Sequence, residues 1–395
     1  MTRINKSAFN VREKLTELGR RFGLKGSELA AAETVQDARD LVSAGRKNII
    51  YNGSALINQR GSNSSISSGT ENIATDRWLF EVTSAGTWDL YQAADGPPGF
   101  GFCHKIDCTA ANASLSSGSV LIFQQRLEGL DLQQIAKGTN SAKNLTLSFY
   151  VKSSKTGQYV VEFQDANNGR NCQRSYNINN TNVWEYKTLT IPGDVSGALT
   201  NNNGHSFTVR FWLAAGSVFQ SGTLQTEWGS TVNANRVVGQ VNLADSNTAE
   251  WNVTGVQLEV GKNATDFEHR SYGEELALCQ RYFYKIGGTE NKIVAPAFSP
   301  ATTEVAIMVS HPVTMRTSPT SVSVVSTNNN NTDFYFRTTS NSGIALTGNG
   351  RDGTSYSTEY MLNIWFNLMS GMPQVTGLLR VQAGRTAHIH VSAEL

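Results

Sequence analysis

Between residues 255 and 283 the chain reads GVQLEVGKNATDFEHRSYGEELALCQRYF, which crowds Asp266, Glu268, His269, Glu274, Glu275 and Cys279 into one short stretch. Carboxylates, an imidazole and a thiol are the groups that ligate metals or move protons. Asp266 and Glu268, two residues apart, share one face of an extended segment. They could therefore sit within the roughly 5–10 Å that glycoside hydrolysis requires of its two carboxyl groups. A structural reading competes with that chemistry and is the simpler one. Glu268 and His269 are neighbours and point to opposite faces, so they cannot easily share an ion, and the HEXXH grammar is absent. Lys262, His269 and Arg270 can neutralise the acids. Glu274 and Glu275 follow Ser271 and Gly273 at a helix start, where acids complement the macrodipole. Glu268, Arg270, Glu274 and Glu275 are thus expected to form an inter-domain joint. No catalytic residue and no enzyme activity is expected.

The remaining candidates are sparser. His388 and His390 share a face of one strand and could hold a metal where copies meet on an axis, although the reading as ordinary polar strand residues is preferred. His104, His205 and His311 form no ligand pattern. Asp76, Asp107, Asp245 and Glu250 could contribute to a calcium site, but no D-x-D-x-D-G loop is present. No metal or cofactor is assigned. Cys103, Cys108, Cys172 and Cys279 match no zinc spacing, and reduced thiols are favoured over a Cys103–Cys108 disulfide. GRDGTS and GPPGFG lack the lysine of a phosphate loop. Trp88 and Tyr91 in GTWDLYQAADG, and Trp228 in TEWGSTVN, could stack on sugar rings, though tryptophan in β proteins more often fills cores.

Lys plus Arg number 33 against 32 Asp plus Glu over 395 residues, a formal charge of +1. That balance excludes a general nucleic-acid surface, which needs clustered positive charge. No stretch approaches the roughly 18 apolar residues of a membrane span. Met1 to Phe22 lacks an apolar signal core, so synthesis in a cytoplasm without membrane insertion is expected.

Three segments must position these groups. Residues 1–46 read as two amphipathic helices: Val11, Leu15, Leu18 and Phe22 recur at helical spacing, then Leu29, Val35 and Leu41 follow an N-cap at Ser27. Two such short stripes cannot bury each other well and call for a partner. Residues 47–271 switch to period two, with strands expected at 76–82, 119–126, 145–152, 159–164, 184–191, 206–214 and 250–260. At least seven strands with no helix between them predict an antiparallel, jelly-roll-like β-sandwich. Long loops are expected at 62–74 and 215–241. Residues 272–395 read as a short helix over GEELALCQRYFYKI and a second, smaller β domain, with TNNNNT (327–332) as a loop tip. The chain is mainly β.

GRKNIIYNGSALINQRGS, ATDRW, WNVTGVQLEVGKNATDFEHRSYGEELALCQRYFYK, SHPVTMRTSPT and the final SAEL together resemble the skeleton of bacteriophage tail-fibre and related virion proteins. The resemblance runs from Gly45 to Leu395 and implies a structural adhesion protein with a carbohydrate-binding-module-like sandwich. It further implies assembly as a homotrimer, a host cell-surface glycan as ligand, and a place in the virion tail. By position, the N-terminal helices would join other tail proteins. The alternatives are a glycan-degrading spike, which the missing β-helix repeats disfavour, and a head-surface decoration protein.

Overall fold

The computed structural model describes residues 46–72, 75–326, 333–338, 343–349, 357–368 and 374–395. The expected N-terminal helices, with Val11 through Leu41, and the 327–332 tip lie outside these residues.

The first unit carries β1 (Asn63–Ile66), β2 (Gly69–Asn72), β3 (Leu79–Thr83), β4 (Thr87–Ala93), β5 (Cys103–Ala110), β6 (Val120–Glu128) and β7 (Leu145–Ser153). It continues with β8 (Gly157–Asp165), β9 (Arg170–Ile178), β10 (Glu185–Ile191), β11 (His205–Ala215), β12 (Gly229–Ser230) and β13 (Glu250–Val260). One sheet has the order β1-β4-β5-β13-β7-β10 and the other β12-β9-β8-β11-β6-β3-β2. Their pairings are antiparallel. The two sheets close on a dry core because alternate residues of each strand are apolar. Leu145, Leu147, Phe149 and Val151 of β7 meet Phe207, Val209 and Phe211 of β11, all buried. Trp78 stacks on Phe123 at 4.4 Å between centroids, and Phe149 meets Phe211 edge-on at 5.1 Å. Each such ring contributes about 1.5–3 kcal/mol by leaving water.

Several sequence expectations shift here. The strand expected at 76–82 begins at Leu79, because Asp76 and Arg77 are spent on buried polar contacts. Trp88 and Tyr91 sit on β4 rather than in a loop. The loop expected at 62–74 supplies β1 and β2, one at the edge of each sheet. The segment at 215–241 lies back over its own sheet. Phe219, Leu224 and Val237 cover the outward-facing Ile122, Val160 and Trp212, and Arg236 pairs with the buried Glu162 at 2.8 Å.

The second unit opens on α1 (Tyr272–Gln280), fixed by a capping box between Ser271 and Glu274. The helix stops at Gln280 rather than running to Ile286, since the next aromatic residues enter β14 (Phe283–Thr289). Then come β15 (Ile293–Ala301), β16 (Glu304–Ser310), β17 (Ser321–Ser326), β18 (Phe334–Thr338), β19 (Gly343–Asn349), β20 (Met361–Leu368), β21 (Thr376–Val381) and β22 (Thr386–Ser392). A three-stranded sheet, β14-β22-β17, packs beside a closed barrel, β15-β16-β20-β19-β18-β21. Phe334, Phe336, Leu362, Phe366, Leu379, Ile389 and Val391 share its core.

The units meet through a buried ionic cluster that the sequence did not announce. Arg60 and Arg77 both pair with Glu394, and the Arg77 guanidinium lies 3.3 Å from the Tyr282 ring centroid. Arg281 donates to both oxygens of Glu128 at 2.9 and 2.8 Å. Arg126 donates to the Leu395 carbonyl at 2.8 Å, and Arg316 donates to the Ala393 and Glu394 carbonyls at 2.8 and 3.0 Å. Asp76 belongs to this cluster, accepting from Gln59 at 2.6 Å and pairing with Arg60 at 3.3 Å.

Burial pushes the Asp76 carboxyl from 3.8 up to about 6 despite Arg60. The fold therefore holds a proton that the unfolded chain releases, so this group's stabilisation is complete below about pH 4 and lost as pH rises through about 6. The urea midpoint of the native protein should fall across that window by the equivalent of about 3 kcal/mol. Asp76→Asn should flatten that part of the profile; an unchanged slope would contradict the assignment.

Candidate functional site

On β7, Ser148 and Tyr150 point away from the core, and on β10 Tyr186 and Thr188 do the same. The register sets Tyr186 directly opposite Tyr150, and Thr188 opposite Ser148. Cross-strand neighbours of this kind touch across the sheet, and the tyrosine rings lie 4.9 Å apart at 49°. Tyr186 is 49% exposed, unusual for a ring of its size on a sheet.

This floor has two walls. Phe100 forms one, lying over Gly255 of β13. Gly255 has φ +62°, and a Cβ there would fall 2.7 Å from the Phe100 Cζ, so the missing side chain makes room for the ring. The ladder between β13 and β7 shifts register at this point. Phe267 and His269 form the other side of the same aromatic cluster. Phe100 is 5.5 Å from Tyr150, 5.1 Å from Phe267 and 5.2 Å from His269. The groove so enclosed holds about 670 Å3, and Lys262, Asn263, Thr265 and Asp266 edge it with polar groups.

The 262–269 wall is held by buried polar residues of β13. Glu259 accepts from the Thr265 amide at 2.9 Å and from its hydroxyl at 2.7 Å. Gln257 accepts from the Glu268 amide at 2.8 Å and donates to the Asp266 carbonyl at 3.3 Å. Glu268 turns away from the groove and accepts from the Lys47 and Asn48 amides, both at 2.7 Å. Arg270 pairs with Glu268 at 3.3 Å and donates to the Ile50 carbonyl at 3.1 Å. Glu275 accepts from the Asn52 amide at 2.6 Å, and Glu274 pairs with Arg46 at 3.1 Å. The four expected joint residues thus fasten the 46–52 segment to the end of β13 and the start of α1. Asp266 alone among the groove-lining residues carries a carboxylate.

The other expected sites are dispersed. Trp88 is fully buried, with its Nε1 donating to the Ala85 carbonyl at 2.7 Å, so it offers no face to a sugar. Tyr91 is half-buried and bonds Asp107. Trp228 is half-buried at the opposite sheet, with its Nε1 donating to the Pro192 carbonyl at 2.8 Å. Neither lines the groove. The calcium candidates are scattered: Asp76 lies in the joint, Asp107 and Glu250 share Lys105, and Asp245 pairs with Lys155. No group of three or more His, Cys, Asp or Glu that could hold a metal occurs among the described residues. His388 and His390 share a face, 6.4 Å apart, and burial lowers both. All four cysteines are free and buried; burial pushes the Cys103 thiol up to about 12 and Cys172 to about 11.

Sequence reasoning missed Phe100, Tyr150, Tyr186 and Phe267, and it treated His269 as a ligand or counter-charge rather than as part of an aromatic wall. A signal existed for two of them: in LTLSFYVK and EYKTLTI the tyrosines fall on the face opposite the Leu, Ile and Val residues that define the core.

No protein-family model matches the chain, and no curated protein does. Among solved structures, the enzymatically active domain of bacteriophage CBA120 tailspike protein 4 overlaps at 12% identity and a TM-score of 0.30. The overlap covers 54% of this chain but only 21% of that one. A putative sugar binding protein from Bacteroides thetaiotaomicron overlaps at 12% identity and TM-score 0.31, covering 54% of this chain and all of the other. A family 11 carbohydrate-binding module from Clostridium thermocellum, in complex with a β-1,3-1,4-mixed-linked tetrasaccharide, overlaps at 12% and 0.26, covering 53% and 98%. Overlaps this partial assign no role.

Gly255→Ala tests the groove's construction. Its Cβ would meet the Phe100 ring at 2.7 Å and Tyr150 Cδ2 at 3.3 Å, at a positive φ. A loss of about 1–3 kcal/mol in chemical denaturation is expected, with Phe100 displaced in a crystal structure of the variant. An unmoved ring would show that the glycine is not what seats it.

Proposed function

We propose that this chain is a structural adhesin of a bacteriophage particle whose groove across β7, β10 and β13 binds host-surface carbohydrate without cleaving it. The observation that carries the reading is the opposed Tyr150–Tyr186 pair, faced by Phe100, Phe267 and His269 and edged by polar side chains. Pyranose rings have apolar faces that pack on aromatic rings and hydroxyl edges that need hydrogen-bonding partners. A groove with both properties suits them. Asn263, Thr265, Lys262 and Asp266 supply the donors and acceptors.

The arrangement of the carboxylates supports binding without hydrolysis. A glycosidase sets two carboxyl groups about 5–10 Å apart around the scissile bond. Here Asp266 reaches the groove alone, and Glu268 is consumed by two backbone amides and Arg270. The virion setting rests on the sequence phrases that resemble tail-fibre proteins. In that setting residues 1–46 attach to the tail, the β units face the host, and the chain assembles as a homotrimer. The balanced charge accords with a glycan rather than a nucleic-acid partner.

A glycan array probed with the full chain should give hits among envelope polysaccharides. Tyr186→Ala and Tyr150→Ala should each weaken the strongest hit at least tenfold, which corresponds to about 1.4 kcal/mol, with the melting temperature nearly unchanged for the exposed Tyr186. Incubation with the same polysaccharide should release no new reducing ends. Wild-type affinity in Tyr186→Ala would remove the groove from the account, and reducing ends that vanish in Asp266→Asn would replace the adhesin with an enzyme.

A further inference from the structure

At the far side of the sandwich, the side chain of Lys137 points inward and is 3% exposed. Its ammonium lies 2.5 Å from Asp165 Oδ2, 2.9 Å from Asp194 Oδ2, 2.9 Å from the Ser196 carbonyl and 2.8 Å from the Gly197 carbonyl. Four oxygens thus surround a group with three protons to give. Asp165 and Asp194 are 0% and 3% exposed. The backbone bends to deliver this charge. Ala136 has φ +50° and Gly138 φ +81°, so left-handed residues flank the lysine on both sides, a conformation that costs free energy for alanine. The Gly138 amide then donates to the Asp194 carbonyl at 2.8 Å.

We infer that Lys137 is a tethered cation filling an oxygen cage whose chemistry otherwise suits a hard divalent ion such as calcium. Two carboxylates and two main-chain carbonyls are the ligand types calcium takes, at about 2.3–2.6 Å. Asp165 Oδ2 stands within that range, and the other three oxygens stand a few tenths of an ångström further out, as the larger ammonium requires. The remaining capacity of the carboxylates is occupied: Asp165 Oδ1 accepts from the Asn167 and Asn168 amides at 2.9 and 3.0 Å, and Arg170 grips Asp194 at 2.8 and 2.9 Å. The ammonium thereby pins the 194–197 segment to the end of β8 without an exchangeable ion. Its consequence is a segment indifferent to chelators in wild-type protein and ion-dependent once the amine is gone. Trp228 provides a built-in reporter, because its ring centroid is 5.3 Å from the Lys137 nitrogen.

The test uses the full chain and its Lys137→Ala variant, with calcium chloride, terbium chloride and EDTA as probes. Wild type should melt at the same temperature with EDTA or millimolar calcium and should show no tryptophan-sensitised terbium emission. Lys137→Ala should melt several degrees lower in EDTA, recover part of that loss in calcium, and sensitise terbium. Adding Trp228→Phe to it should largely abolish the emission. A folded Lys137→Ala indifferent to calcium and silent with terbium would overturn the inference, as would a wild-type protein that loses several degrees in EDTA. Should the alanine variant fold in neither buffer, Lys137→Gln, which keeps a donor but no charge, takes its place under the same two criteria.

Discussion

β13 is buried along nearly its whole length and on both faces, and both sides of the molecule are arranged around that constraint. Its apolar residues Trp251, Val253, Val256 and Leu258 belong to the sandwich core. Its polar residues Asn252, Thr254, Gln257 and Glu259 are equally buried, and groups of that kind must find hydrogen-bond partners or lose several kcal/mol each. Thr254 takes the Phe102 carbonyl at 2.8 Å, beside the Phe100 wall. Gln257 and Glu259 take the 262–268 segment. The need to satisfy one strand thus builds both walls of the groove, and Gly255 leaves the gap in which an aromatic ring comes to rest.

The same logic governs the charges. Glu162, Glu128, Asp165 and Arg77 are all buried, and a buried charge persists only when its partner and its hydrogen bonds are in place. Glu162 has Arg236 and Asn171, Glu128 has Arg281, and Asp165 has Lys137. Arg77 has Glu394 on one side and the Arg126 carbonyl on the other. Glu128–Arg281 and Arg77–Glu394 join the two units, so these two contacts favour one arrangement of the units over others that would bury as much apolar surface, while the Glu162 and Asp165 pairs lie within the first unit. Removing either member strands the other, which makes the joint selective as well as cohesive.

The strands at 145–152, 206–214 and 250–260 were legible because their core faces alternate with period two, and the observed elements differ from those readings by at most one residue at each end. Strands β4, β5 and β9 were not, because CHKIDCTA and RNCQRSYNI carry polar residues on positions that burial later satisfies. GTWDLYQA gave no apolar run long enough to separate it from the loops around it. Trp88 and Tyr91 illustrate the limit for sites. Aromatics in polar surroundings suggest sugar contacts, yet Trp88 faces the core while Tyr150 and Tyr186, inside strands legible from alternation, face out.

What the sequence determined by itself was the mainly β class, the antiparallel pairing and the direction each side chain takes from its strand, because these follow from local alternation. The tertiary structure decided which outward-facing residues became neighbours. Tyr150 and Tyr186 meet through the register of β7 and β10, Phe100 reaches them over a glycine more than a hundred residues further along, and Lys137 finds its oxygens on two separate segments, at the end of β8 and at 194–197. Register and long-range closure depend on the whole core packing at once, and no window of sequence contains that information.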